Sequence, residues 1–408
     1  MWLTETTPRE RRTLIAACAG YGLDGFDFML YTFVIPTLLT VWHMTRPQAG
    51  YIATGALITS AAGGWVAGML ADRYGRVRVL QWTVAWFALF ACLSGFTTSF
   101  AQLLVLRALQ GFGFGGEWAV GAVLIAETVE ARHRGKAAGV VQSGWALGWG
   151  AAALAYWGMY SLAPPELAWR ILFWLGALPA LLIVYIRRRV DESAVYSSVR
   201  ESGHARSPLD IFSTPLLATT VLASLLCTGM MGAYYAVSTW LPSYLRTERH
   251  LSIMGTSSYL LFMIAGSFAG YLTSAWLADA LGRRRCFVLF ALCGGLMILL
   301  YTLVPISDLQ TLLLGFPLGF FQSGIFSGMG AFLAELYPST VRGSGQGFTY
   351  SAGRALGALF PAAVGVWSEH GSLSTAFGAM TAAGYALVIA AAFALPETRG
   401  RVLTTVPE

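Results

Sequence analysis

Long apolar stretches, each closed by a short polar break, run through this chain from end to end. Twelve can be drawn, at 14–40, 50–70, 79–99, 102–125, 137–160, 169–187, 214–241, 254–278, 286–304, 310–334, 345–368 and 373–395. Most hold about 20 residues or more, the length an α-helix needs to cross a hydrocarbon core of roughly 30 Å. A β-barrel would show shorter segments of alternating polarity. The pattern therefore predicts an all-α integral membrane protein with twelve transmembrane helices. The longest polar segment, 188–213, follows Arg187 and holds Arg188-Arg189, Asp191-Glu192, Ser197-Ser198 and Pro208. It predicts a cytoplasmic linker, 191–213, between two six-helix bundles at 1–190 and 214–408.

Composition agrees with a bilayer setting. The 408 residues are 56% hydrophobic and 11% charged, against about 25% charged in an ordinary soluble domain. The net charge of +6 comes from arginines and a lysine clustered in alternate loops: Arg9, Arg11 and Arg12; Arg73, Arg76 and Arg78; Arg132, Arg134 and Lys136; Arg187 to Arg189; Arg283 to Arg285; Arg399 and Arg401. Arg46, Arg246 and Arg249 are the exceptions. Basic residues on alternate sides follow the positive-inside rule and put both termini in the cytoplasm. No basic patch interleaves with aromatics, so nucleic acid is not an expected partner. The five cysteines, Cys18, Cys92, Cys227, Cys286 and Cys293, are scattered. Their spacing fits neither a disulfide framework nor a metal site. The start of the chain reads as a cytoplasmic tail leading into the first span, without a cleavable leader.

The chain also repeats itself. Leu70-Ala71-Asp72-Arg73-Tyr74-Gly75-Arg76 returns as Leu277-Ala278-Asp279-Ala280-Leu281-Gly282-Arg283, offset 279 − 72 = 207. Ala126-Glu127 with Arg134-Gly135 returns as Ala334-Glu335 with Arg342-Gly343, offset 335 − 127 = 208. Gly68, Leu70, Asp72, Arg73, Gly75 and Arg76 resemble the loop between the second and third helices of the major facilitator superfamily. Arg107, Gln110, Gly111, Gly113 and Gly115 resemble its fourth-helix motif, and Pro396-Glu397-Thr398-Arg399-Gly400 its usual ending. The resemblance covers the whole chain. It implies a transporter working by alternating access, with no cofactor. It also implies a cytoplasmic gate built from Gly68, Asp72, Arg73, Gly75, Arg76, Glu127, Arg134, Asp279, Arg283, Glu335 and Arg342. The second loop departs from the pattern at Ala280 and Ala275, so it is expected to be the weaker latch. Gly111-Phe112-Gly113-Phe114-Gly115-Gly116 superficially matches a dinucleotide-binding loop. It lies within an apolar helix with no preceding strand, so close helix packing is the better reading.

Charges that break the repeat are the candidates for function. Pro36 and Pro242 align at offset 206, which sets Asp27 opposite Ala233 and Asp24 opposite Met230. A charge at the bilayer centre costs roughly 2.5–3.5 kcal/mol on insertion scales, so such groups face a cavity or a partner. Asp24 and Asp27 share a helix face; they suit proton coupling, or else pair with cations. In the fourth span Arg107 and Glu117 fall opposite Gly315 and Ile325. Similar heights pair Arg107 with Asp27 and Glu117 with Asp24, either as a protonation-controlled contact or as a permanent buried pair. Arg354 in the eleventh span falls opposite Ala146. It is a natural carboxylate clamp, unless it pairs within its own half, where the eighth and tenth spans offer no carboxylate before Glu335. Tyr31, Gln142, Trp145, Tyr234, Tyr235, Ser238, Gln322 and Tyr350 are further cavity candidates, or ordinary packing. No histidine lies within a span, which argues against a histidine proton relay.

The fifth span has no Gly-Pro antiporter signature. Leu23-Asp24-Gly25-Phe26-Asp27-Phe28 resembles the first helix of proton symporters for organic anions, the sialate and lactate branch above all, with the aromatic-acid and nicotinate branches close. Gly115-Gly116-Glu117-Trp118 and Gly347-Phe348-Thr349-Tyr350 resemble the same branch. The two extra helices of sialate transporters have no counterpart, which favours a smaller monocarboxylate. The expectation is proton-coupled uptake of a small carboxylate across a bacterial inner membrane by a monomer. In the expected cycle Asp27, alone or with Asp24, takes the proton, Arg107 lets go of the protonated Asp27 carboxyl, and Arg354 holds the anion. The alternatives are an uncoupled facilitator or exchanger, or an efflux carrier for a metabolite or sugar. An enzyme would need clustered nucleophiles, metal ligands or histidines in a span, and none is seen.

Overall fold

The structure is a computed structural model that describes residues 6–129, 134–190, 192, 208–337 and 342–398, apart from a few side chains within those ranges. Fifteen α-helices are found there: α1 Pro8–Val41, α2 Arg46–Tyr74, α3 Arg76–Ser94, α4 Phe100–Thr128, α5 Arg134–Leu162, α6 Pro165–Leu175, α7 Pro179–Arg189, α8 Thr214–Thr247, α9 Ile253–Leu281, α10 Arg283–Leu303, α11 Asp308–Gly324, α12 Met329–Leu336, α13 Arg342–Gly357, α14 Leu359–Trp367 and α15 Leu373–Ala394. A 3-10 turn covers Pro208–Phe212, and no strand occurs among the described residues. The twelve expected spans all fall on these helices. Among the described residues, seven helical segments are long and apolar enough to cross a membrane. Helices α2, α4 and α5 have 29 residues each.

Three expected spans are broken. The sixth is α6 and α7, interrupted at 176–178; the tenth is α11 and α12, interrupted at 325–328; the eleventh is α13 and α14, interrupted at 358. Proline explains two of these. Pro179 cannot donate to Leu175, where α6 ends, and Pro361 cannot donate to Gly357, where α13 ends. The third break lies between Gly324 and Gly328, and glycine is a weak helix former. Hydropathy sees none of this, because a broken span remains apolar. Helix starts in the loops are fixed by caps instead. Thr7 with Glu10, Thr45 with Gln48 and Ser307 with Gln310 form reciprocal capping boxes.

By Cα proximity the chain divides into two units, Met1–Gly203 with Ser238–Leu261, and His204–Val237 with Phe262–Glu408. The division falls inside α8, and most of the expected linker, 191 and 193–207, lies outside the described residues.

Within each unit, glycines bring helix backbones into direct contact. In the first, α1 meets α5 where a Cβ on Gly148 would overlap the Gly22 carbonyl oxygen. Helix α2 meets α4 at Gly63, Gly111 and Gly115, facing the Phe112, Ala56 and Ser60 carbonyls, and Thr59 Oγ1 donates across to Ala108 O at 2.6 Å. In the second unit α9 meets α11 in the same way at Gly266, Gly270 and Gly319. Gly63 and Gly270 are 207 residues apart, and Gly111 and Gly319 are 208 apart. The repeat therefore includes the helix crossings, and the fourth-span glycine run is a packing surface.

Gly115→Val should force α2 and α4 apart. Overpacking of this kind costs roughly 1–3 kcal/mol, read as a lower thermal midpoint of the detergent-purified protein. Gly121→Ala is the control, since a Cβ there meets nothing within 4 Å. Equal midpoints for the two variants would contradict the crossing.

Candidate functional site

The first unit holds a buried charged centre between α1 and α4. Arg107 Nη1 donates to Asp27 Oδ2 at 2.8 Å and to Gln110 Oε1 at 2.5 Å, and the Gln110 amide donates to the same Asp27 oxygen. Arg107 is 4% exposed and Asp27 1%. Arg107 and Gln110 are three residues apart, so α4 presents both from one face. The guanidinium also lies 5.3 Å from the Tyr31 ring centroid and 5.5 Å from that of Phe173. Tyr31 is held by its hydroxyl, which donates to Ala49 O at 2.8 Å. The other Asp27 oxygen, Oδ1, has no hydrogen-bond partner among the described residues. It lies against Gly176, in the break between α6 and α7. A small cavity lined by Asp27, Phe28, Leu57, Phe87, Arg107 and Gln110 leaves room for about one water molecule.

One turn toward the N-terminus of α1 lies a second buried acidic centre, made by Asp24 and Glu117. Asp24 is 0% exposed and Glu117 5%. The Glu117 carboxyl occupies the space that a side chain on Gly20 would take. Trp145 of α5 packs on Gly25, between the two aspartates in sequence, and its ring lies 5.2 Å from Tyr21, 5.8 Å from Phe28 and 6.0 Å from Phe114. Gln142 is half-buried on the same helix.

In the second unit Arg354 of α13 is buried, with its guanidinium 5.2 Å from the Tyr350 ring centroid and Tyr235 of α8 nearby. Tyr235 is in edge contact with Tyr234, and Tyr234 with Phe326. Gln322, fully buried, donates from its amide to Tyr234 O at 3.3 Å. Its Oε1 has no hydrogen-bond partner among the described residues. Ser238 is buried and begins the stretch of α8 that belongs to the other unit.

The duplicated loops are built alike. Gly75 and Gly282 have φ of 99° and 98°, a left-handed conformation that favours glycine, and each precedes the first residue of a helix. A carboxylate caps each helix. Glu192 accepts from Arg76 N at 3.0 Å and from Val77 N, and Glu397 accepts from Arg283 N at 2.9 Å and Arg284 N at 3.1 Å. An anion is favoured at a helix N-terminus. Arg76 Nη1 donates to Ala71 O at 3.0 Å. Arg283 pairs with Glu335 at 3.3 Å, and the Thr398 hydroxyl donates to Glu335 at 2.5 Å. Gly68 has open space around its Cα. The side chains of Asp72, Arg73, Glu127, Arg134, Asp279 and Arg342 lie outside the described residues.

Sequence reading missed three participants. Gln110 was visible only as part of a motif, although its spacing from Arg107 places it beside Asp27. Gly20 matters through the side chain it lacks. Glu192 is the twin of Glu397 at offset 397 − 192 = 205, a signal hidden because the flanking residues differ. Among the described residues no three His, Cys, Asp or Glu cluster to hold a metal ion.

The Major Facilitator Superfamily matches residues 17–310 and 260–408. The chain belongs to this superfamily. It is a multi-pass membrane transporter and not an enzyme. The transporter is 40% identical over 408 residues to a probable 4-methylmuconolactone transporter of Cupriavidus pinatubonensis, covering 100% of this chain and 95% of that protein. It is 31% identical over 374 residues to a putative niacin/nicotinamide transporter of Bacillus subtilis, covering 90% and 91%. Its fold is that of the xylose transporter of E. coli in the inward-open conformation, with a TM-score of 0.72, 20% identity, and coverage of 96% and 97%.

Arg107→Ala leaves the Asp27 carboxylate buried without its cation, a change that costs roughly 3–5 kcal/mol. It should lower the yield and thermal midpoint of the folded transporter. Arg107→Ala combined with Asp27→Ala should recover much of the loss. A double variant no more stable than the single one would contradict the pair.

Proposed function

We propose that this transporter imports a small organic carboxylate together with protons, by secondary active symport. The two six-span halves, 1–190 and 214–408, joined by 191–213, expose the substrate site to each side in turn. The observation that carries the reading is Arg354. It is a buried guanidinium in the second half, 5.2 Å from the Tyr350 ring centroid and set among rings and polar groups of α8 and α13. A carboxylate matches its planar fork with two parallel hydrogen bonds. Tyr234, Tyr235, Gln322 and Tyr350 supply rings and polar atoms to select the rest of the molecule. The relatives named for 4-methylmuconolactone and for niacin or nicotinamide support small organic acids and their derivatives as the cargo class. Proton coupling is supported by the buried acids of the first half, Asp24, Asp27 and Glu117, with Arg107 paired to Asp27. The protein acts as a monomer in the bacterial inner membrane with both termini cytoplasmic, as the alternation of basic loops supports. Gly68, Asp72, Arg73, Gly75, Arg76, Glu127, Arg134, Asp279, Arg283, Glu335 and Arg342 form its cytoplasmic gate.

The test is uptake into proteoliposomes across lactate, sialate, benzoate, nicotinate, shikimate and 4-methylmuconolactone, with and without acid outside. At least one should accumulate, several-fold faster down the proton gradient. Arg354→Ala should raise its KM tenfold or more, equal to about 1.4 kcal/mol or more of lost binding. Arg354→Lys should restore only part of that affinity. Uptake indifferent to the gradient would mean an uncoupled carrier, and an unchanged KM would remove Arg354 from the site.

A further inference from the structure

We infer that α3 and α7 together hold one anionic phospholipid of the surrounding bilayer. Its phosphate diester lies between Arg78 and Arg188, and its acyl chains run along the apolar faces below them. On the orientation proposed above this is a lipid of the cytoplasmic leaflet. The site depends neither on the cargo nor on proton coupling.

Both helices present an exposed stripe. On α3, Arg78, Trp82, Trp86, Leu89 and Leu93 are exposed, and steps of three and four residues put them on one face. On α7, Leu181, Val184 and Arg188 are exposed at the same steps. Each stripe is apolar along its length and ends in an arginine. From Arg78 to Leu89 the helix rises about 16 Å. That is close to half of a hydrocarbon core of roughly 30 Å, the depth of one leaflet.

The two arginines sit at the same end of the helix pair. Arg78 is the third residue of α3, and Arg188 the last but one of α7. Just beyond α7, Glu192 accepts from Arg76 N and Val77 N, so the end of α7 meets the start of α3. Val79 and Leu80 of α3 share a buried cluster with Ile186 of α7. The neighbouring groups are committed elsewhere: Arg76 turns inward to Ala71 O, and the Glu192 carboxylate is engaged by backbone donors. Among the described residues, no hydrogen bond or ion pair engages Arg78 or Arg188. Guanidinium groups match phosphate oxygens with paired hydrogen bonds, and anionic headgroups are drawn to basic residues at the membrane surface. Tyr74, also exposed, has its ring 5.7 Å from that of Trp82, a pairing suited to the interfacial layer.

The internal repeat supplies a comparison. Offset 285 − 78 = 207 carries the α3 stripe onto α10, where Arg285, Leu289 and Leu296 are exposed. Offset 393 − 188 = 205, the spacing of Glu192 and Glu397, carries Arg188 onto Phe393 of α15. Phe393 is exposed, and the Arg284 guanidinium lies 4.9 Å from its ring centroid. The second half thus has one stripe ending in an arginine where the first has two, so the two-arginine site belongs to the first half.

Native mass spectrometry of the delipidated full chain in detergent counts the lipid retained after addition of phosphatidylglycerol or phosphatidylcholine. One phosphatidylglycerol should be retained in preference to phosphatidylcholine. Arg78→Gln and Arg188→Gln should each weaken its binding about fivefold, while Arg285→Gln leaves it unchanged. Equal retention of the two lipids, or undiminished phosphatidylglycerol binding in the double variant Arg78→Gln with Arg188→Gln, overturns the proposal. An equal loss in Arg285→Gln means attraction spread over the whole basic surface, and overturns the site as well. Inorganic phosphate in millimolar excess should leave the lipid bound. Its displacement by phosphate would make the free ion the ligand and overturn the lipid assignment.

Discussion

Everything in this transporter depends on how few charges it buries and how each is balanced. A chain with 11% charged residues keeps nearly all of them at the loops. The remainder sit in helices where, on insertion scales, each costs roughly 2.5–3.5 kcal/mol if left at the centre unaided. Among the described residues of the first unit, Glu10 and Arg76 are buried near helix ends, and Asp24, Asp27, Arg107 and Glu117 are buried within the spans. The Asp27–Arg107 contact cancels itself and ties α1 to α4. Gly20 makes room for the Glu117 carboxyl against α1, and Gly176 for Asp27 Oδ1. In the second unit the Arg354 guanidinium is buried beside the Tyr350 ring.

Much of this was legible in the chain. Twelve apolar stretches and a repeat at offset 207 are statements about periodicity, and periodicity survives the reading of one sequence. The repeat also isolated Asp24, Asp27, Arg107, Glu117 and Arg354, because a charge without a twin stands out against an apolar background. What could not be read depends on absence or on distance through space. Gly20 acts through a missing Cβ. The break at 176–178 is invisible to hydropathy, yet it is where Asp27 Oδ1 comes to rest. Tyr31 looked like a cavity residue; its hydroxyl is engaged by Ala49 and its ring lies beside Arg107. Trp145 packs among rings over the Gly25 backbone. Such roles follow from crossing geometry, which the pattern of apolar residues leaves open.

The cytoplasmic loops show duplication working at two levels. Gly75 and Gly282 share a backbone conformation, so their kinship is plain in the sequence. Glu192 and Glu397 share a task, capping the helix that follows each loop, although Val190-Asp191-Glu192-Ser193 and Pro396-Glu397-Thr398-Arg399 have little else in common. Selection on an anion at a helix N-terminus constrains one residue and frees its neighbours. The Arg283–Glu335–Thr398 contacts extend the second cap into a network that draws on α10, α12 and the segment after α15.

The glycine crossings have a mechanical consequence. Helices that touch through their backbones have no layer of side chains between them to flex or slide. The pairs α1 with α5, α2 with α4 and α9 with α11 are therefore stiff in shear, like laminated boards rather than stacked cushions. Compliance is left to the interruptions at 176–178, 325–328 and 358, where the hydrogen-bond ladder is already open. A transporter that must change conformation needs both: rigid members to transmit force, and a few defined joints at which to spend it.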